Sequence, residues 1–471
     1  MLQAEPSALP AGTEAALAMR RQNLLALIGA ALVLTMGFET VQLPLTIQAQ
    51  TIPLTGVLAV FVLPFVALLS GVRRFTPVFT IVTAFCVFAA VHSVVALGID
   101  TLFSGSNPVR TTAWLRQLAA LAVGFAVFFV LRTTLVAFTE RRIAMLAVWA
   151  ACPGVLLALL NVLWGLGVWP DAGKIVWTLR LLTVPRGLVV PPYFSQADRA
   201  AGFCSEPSHF AFFLAVITLP PTLALLSTAG RIAWFARAAL AVEAVAFVWA
   251  FSVTGWLVVG GMLLVLALNR STRRVALATL GAAAVLIVAL VLAFPDNYLL
   301  FQARGLWSGL VKGEPGGFLP SATVIVFGTL GPFARAFSSL NLLGYGLGGT
   351  TTHLAAMIPA VGQRDIIAAS WAGMPTLTTS AGRVFAETGL VGFAMFVGIW
   401  VVAFRALRQL RRAPAGDGTA AAMLNATSLA LVGLAVGHTV KFGSFALPYL
   451  WFWLAYVDSR SLRNVRQAHQ D

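Results

Sequence analysis

Charge is what this chain of 471 residues has least of, since Asp, Glu, Lys and Arg together make up only 10% of it. A water-soluble domain cannot cover its surface with so few charges, which excludes a soluble globular fold. Cysteine is nearly absent as well. Cys86, Cys152 and Cys204 form an odd, scattered set, which excludes a disulfide framework and shows no metal-ligand spacing. There is no D-x-D motif and no histidine cluster, so no metal and no other cofactor is expected. Acidic residues number 16 against 31 Lys and Arg. The arginines are nevertheless dealt out between apolar runs rather than gathered on one basic face, which excludes nucleic acid as a partner. No internal repeat is visible. The first apolar run is too long, and too poorly followed by a cleavage site, to be a removed signal peptide.

What is abundant is apolar: 59% of the chain is hydrophobic and the mean hydropathy is +0.90. Runs near twenty residues recur along its whole length, each long enough to cross about 30 Å of hydrocarbon as a helix. In lipid the backbone must satisfy its own hydrogen bonds, so such runs are helices, and the short alternating strands of a barrel are missing. The expected fold is an all-α polytopic membrane protein with about twelve transmembrane helices in one integral membrane domain, 1–471. The spans lie near 23–42, 54–71, 77–97, 114–131, 143–166, 207–228, 236–252, 254–269, 275–294, 381–404, 420–440 and 442–457.

Most of the basic residues fall in alternate short connections, among them Arg73, Arg74, Arg141, Arg142, Arg273, Arg274, Arg411 and Arg412. The positive-inside rule makes that side the cytoplasm, with both termini on it and anionic membrane lipids as its partner. Two large segments, 167–206 and 295–380, then lie outside. They carry arginines against the topological bias, and arginine's planar fork suits phosphate oxygens. Glu243, near Arg237, is expected to serve packing. His438 and Lys441 are expected at the membrane interface in the last outer turn.

The stretch "RAAGFCSEPSHFAFF" at 199–213 places Arg199, Gly202, Glu206, Pro207, Ser208 and His209 just before a span. Pro207 suits the first helical turn, and Ser205 or Ser208 is the expected cap. The free N–H groups of that helix start form a natural anion site.

The pattern R-x-x-G-x-x-x-E-P-S before a span resembles the bacterial O-antigen polymerase and ligase superfamily, in particular its exopolysaccharide repeat-unit polymerases. "FSVTGWL" at 251 looks like the S-x-T-G turn of these proteins. "LLGYGLGG" at 342, with Gly344 and Gly346, looks like the glycine-rich stretch of their large outer loop. "TSAGRVFAETGLVGF" at 379 is similar to the helix that closes that loop, with Ser380, Arg383, Glu387 and Gly389 in register. One departure matters: ligases of the group carry a histidine–asparagine pair where this chain has Thr378 and Thr379, which favours a polymerase.

The resemblance implies a GT-C-like membrane glycosyltransferase architecture with two large periplasmic loop segments, in the bacterial inner membrane. It implies a metal-independent inverting glycosyltransferase. The growing glycan would pass from undecaprenyl pyrophosphate onto a new lipid-linked oligosaccharide repeat unit. A flippase and a chain-length regulator are the partners it implies. For the pyrophosphate the candidates are Arg199, then Arg335 and Arg383, with Arg180 and Arg186 behind them. For the base they are His353, Glu206 and Glu387. Gly202, Pro207, Ser208, Gly344 and Gly346 shape the backbone. The alternatives are a ligase acting on lipid A core and a secondary transporter or flippase of a lipid-linked glycan.

Overall fold

The computed structural model describes residues 11–39, 53–70, 75–105, 108–183, 199–204, 206–294, 379–412, 418–440 and 444–467, with short pieces between 300 and 350, of which 342–350 is the longest. Among these residues the chain is helical and carries no strand. In chain order the helices are α1 (Ala11–Leu34), α2 (Leu54–Ser70), α3 (Pro77–Ser104), α4 (Pro108–Thr134), α5 (Glu140–Gly165), α6 (Ala172–Thr183), α7 (Pro207–Phe213), α8 (Leu219–Leu226), α9 (Arg231–Trp249), α10 (Val253–Leu268), α11 (Arg273–Ala293), α12 (Ser380–Arg412), α13 (Gly418–Val440) and α14 (Pro448–Gln467). Among the described residues eight helices are long and apolar enough to cross a membrane, counting Pro207–Leu226 as one, and α2 and α10 are shorter apolar helices. The chain is a polytopic α-helical membrane protein.

A helix stands at each expected span, although not all twelve meet the length and composition of a crossing helix. The first and last are displaced. The first ends at Leu34 in a single 3-10 turn, Thr35–Gly37, and the last begins at Pro448, where proline fits a first turn. Within the segment 167–206, expected outside the membrane, α6 occupies part of the first half.

α14 runs through the middle of the bundle. Its Trp451, Phe452, Trp453 and Leu454 are all buried, as a helix surrounded on every side requires. It packs along α4, while α3 lies along α12 and α10 along α13. At one end of the bundle Asp458 of α14 accepts from Thr76, from Phe79 N (3.2 Å) and from Arg132 Nε (2.6 Å), tying α3 and α4 to α14. Arg460 of α14 pairs with Glu140 at the same end. α11 stands at the opposite extreme, with Ala276 its one buried residue among those described, as a helix against lipid needs.

Between α7 and α8 the helix widens into a single π turn, Leu214–Thr218. Pro220 and Pro221 explain it. Neither has an N–H, so the carbonyl of Val216 has no donor at either the i+4 or the i+5 position. The indole Nε1 of Trp453 supplies one at 2.8 Å. The sequence of one helix thus leaves a gap that a residue far away in the chain fills.

Candidate functional site

At the bundle end opposite Asp458, the starts of α7, α12 and α14 come together with the end of α13. His438 at the end of α13 shares a 2.9 Å hydrogen bond with Ser380 at the start of α12. The Phe212 ring touches both His438 and Tyr449, linking α7 to α13 and α14. His438 is buried, because Phe212, Phe396 and Trp400 close around its ring. Lys441 lies outside the described residues.

The stretch 199–208 forms one side of this end. Arg199 is 7% exposed, and its Nε and Nη2 donate to the carbonyls of Ala250 (3.0 Å) and Phe251 (3.1 Å). Those carbonyls close the C-terminal end of α9, where cations are favoured. Ala200 N adds a bond to Trp249 O (3.1 Å). The S-x-T-G turn is a cap: Ser252 Oγ accepts from Gly255 N (3.1 Å) and starts α10. Between Arg199 and α7 the chain turns at Gly202, whose φ is +52°, and a Cβ there would lie 2.7 Å from the Phe210 ring. Glycine is required at that point.

Pro207 occupies the first turn of α7, as expected. The expected serine cap is corrected. Glu206 holds the N-cap position without a side-chain bond to the backbone, and Ser208 Oγ bonds instead to Glu206 Oε2 at 2.9 Å. Ser205 lies outside the described residues. Glu206 itself is exposed.

One turn into α7, the Nδ1 atom of His209 bonds to Oε1 of Glu39, which is buried at the end of the first span. Phe38 stacks on Phe203 at 4.9 Å and fixes the approach of the two segments. Cys204 and Tyr449 stand beside Glu39. Burial pushes the Cys204 thiol well above its ordinary value, and the neighbouring Glu39 carboxylate adds to the rise. Arg180 of α6 donates Nη2 to Cys204 O (3.2 Å), and burial lowers its guanidinium from the usual value while leaving it a cation. Arg180 thus stands beside Cys204, one contact from the Glu39–His209 pair.

The opposite side of this end is built from 342–350 and α12. Glu387 is 0% exposed. Its Oε1 accepts from Gly348 N (2.9 Å) and Thr350 Oγ1 (2.7 Å), and its Oε2 from Arg383 Nε (3.2 Å). The expected Arg383–Glu387 pair is present, and it holds the glycine-rich stretch in place. Tyr345 N and Gly346 N donate to the carbonyls of Ala386 and Glu387, each at 2.8 Å, and Leu390 N donates to Leu342 O at 2.8 Å. These bonds need α12 to open at Gly389, which takes φ +68°. A Cβ on Gly389 would overlap the carbonyl oxygens of Leu342 and Leu343, and one on Gly344 would overlap Gly389 N. The stretch also binds α3 and α4, through Leu347 N to Ser93 Oγ (2.8 Å) and Arg110 Nη2 to Tyr345 O (3.2 Å).

Arg186, Arg335 and His353 lie outside the described residues. Glu243 is buried within the bundle. It accepts from Thr222 Oγ1 at 3.2 Å to each oxygen and faces an apolar cleft of about 280 Å³ between α8, α9, α10 and α11. Arg237, one and a half turns away on the same helix, points elsewhere on the helical wheel from residue 243.

The sequence places His209 at a helix start, but nothing in the pattern around it points to Glu39. The one available signal was the cost of an acid at the end of an apolar run, which calls for a partner. No protein-family model matches the chain, and no characterised protein matches it.

Proposed function

We propose that the protein is a polymerase of undecaprenyl-pyrophosphate-linked oligosaccharide repeat units. It works on the outer face of a bacterial inner membrane, with both termini and the Asp458 end of the bundle in the cytoplasm. The observation that carries this reading is a convergence. The R-x-x-G-x-x-x-E-P-S stretch and the arginine–glutamate helix after the glycine-rich loop are remote in sequence, yet they stand at one end of the bundle, linked through Phe212, His438 and Ser380. A transferase for two lipid-linked substrates needs cations and a proton acceptor grouped at one membrane face.

In the reaction a hydroxyl of the incoming repeat unit attacks the anomeric carbon of the growing glycan. That forms a new glycosidic bond as the bond to the pyrophosphate oxygen breaks, inverting the configuration. Negative charge gathers on the departing pyrophosphate, and arginines aimed at it stabilise the transition state more than the ground state. Arg180, one contact from the Glu39–His209 pair, is the described cation best placed for this. Arg199 orients the segment through the α9 carbonyls, Arg383 is engaged by Glu387, and Arg186 and Arg335 complete the set of candidates.

The test uses protein in nanodiscs with a synthetic polyprenyl-pyrophosphate oligosaccharide. The expected product is a ladder in multiples of the repeat, unchanged by EDTA and reduced about 100-fold or more in Arg180→Gln, the usual scale for one charge-stabilising donor. Absence of a ladder while the same lipid crosses a vesicle membrane overturns the enzyme and leaves a transporter. Transfer to lipid A core rather than to another repeat makes it a ligase.

A further inference from the structure

We propose that His209 is the proton acceptor of this glycosyl transfer and that Glu39 is its positioning residue. The inference rests on the polymerase reading. Four observations carry it.

The first is the bond itself. His209 Nδ1 meets Glu39 Oε1, and a carboxylate there fixes the tautomer, so that Nδ1 carries the proton and Nε2 is the basic nitrogen. The second is the contrast in burial. The Glu39 side chain is 1% exposed and the His209 side chain 21%, so the acid is walled in while the ring reaches the open end of the bundle. The third is placement: His209 sits in the first turn of α7, after Glu206 and Ser208 in the chain, and its partner Glu39 adjoins Cys204, whose carbonyl takes a bond from Arg180. The fourth is elimination among the described acids. Glu387 is sealed by Gly348, Thr350 and Arg383, and Glu206 is an exposed carboxylate taking a bond from Ser208.

The ionisable groups grouped around the Glu39 carboxylate are His209 of α7, Cys204 from the preceding loop and Tyr449 from α14, with Arg180 of α6 bonded to Cys204 O and Glu206 three residues before His209 in the chain. Burial raises the Cys204 thiol, so of these two groups the imidazole is the better acceptor. In the step, the attacking hydroxyl's oxygen bonds to the anomeric carbon and its proton moves to Nε2. The pyrophosphate leaves with the electron pair, and the imidazolium is held against the Glu39 carboxylate until the proton passes to water.

The experiment follows ladder formation with the synthetic polyprenyl-pyrophosphate oligosaccharide for wild type, His209→Gln, His209→Gly and Glu39→Gln. All are checked for folding by thermal unfolding in detergent. His209→Gln should lose a factor of about 100 or more in turnover at saturating substrate while its apparent substrate affinity stays within about threefold of wild type. Added imidazole should partly restore His209→Gly. Glu39→Gln should turn over at least tenfold more slowly and shift the acid limb of the pH–rate profile. A ladder that persists within twofold of wild type in a folded His209→Gln overturns the assignment and leaves the polymerase standing. Loss of activity that imidazole fails to restore in a folded His209→Gly overturns it as well. No ladder from wild type overturns the polymerase, and this inference with it.

Discussion

Two buried acids at the same end of the bundle, Glu387 and Glu39, meet opposite fates. Glu387 takes bonds from a backbone N–H, a hydroxyl and a guanidinium, all from residues that are themselves buried. Its charge is spent on architecture, locking 342–350 against α12. Glu39 shares its carboxylate with a histidine ring that is partly exposed. A carboxylate satisfied by rigid, buried donors holds a loop, whereas Glu39 has among its partners a ring that is itself partly exposed, the arrangement the proposed proton transfer needs. The difference lies in the partner, not in the acid.

Breaking the closed side should have the largest effect. Arg383→Ala leaves the Glu387 charge buried without its cation and is expected to cost about 3–5 kcal/mol, read as a large drop in the thermal unfolding temperature of the purified protein. Gly389→Ala comes next. It forces a side chain into a positive φ and onto two carbonyl oxygens, and a loss of at least about 2 kcal/mol is expected. Ser93→Ala deprives Leu347 N of its acceptor and should lose about 1–3 kcal/mol while leaving α3 intact. On the open side stability should barely move. Glu206→Gln is exposed and is expected within about 0.5 kcal/mol of wild type. A destabilised Glu206→Gln, or an unchanged Arg383→Ala, would collapse the distinction between the two sides.

The helices were legible because hydrophobic runs in a membrane protein have one solution. Runs at 54–71, 143–166 and 420–440 became helices Leu54–Ser70, Glu140–Gly165 and Gly418–Val440. What was not legible depended on contacts made across the bundle. Nothing local to Glu39 names His209, because the two are joined by the stacking of Phe38 on Phe203. The glycines at 344 and 346 were readable as turn formers, but the need for a matching glycine at 389 arises only when two backbones meet. Arg199 read as a phosphate ligand. Its sequence context gave no sign that the α9 carbonyls stand within reach, since a helix end becomes visible only in three dimensions.

The position of α14 has a consequence for how the molecule is made. α14 leaves the ribosome after every helix it serves, and it carries the indole that satisfies Val216 and the carboxylate that neutralises Arg132. Until it inserts, the carbonyl of Val216 lacks its indole donor and Arg132 lacks the Asp458 carboxylate. A chain stopped short of α14 is therefore marked as unfinished by its own chemistry, open to a membrane protease in a way the assembled bundle is not.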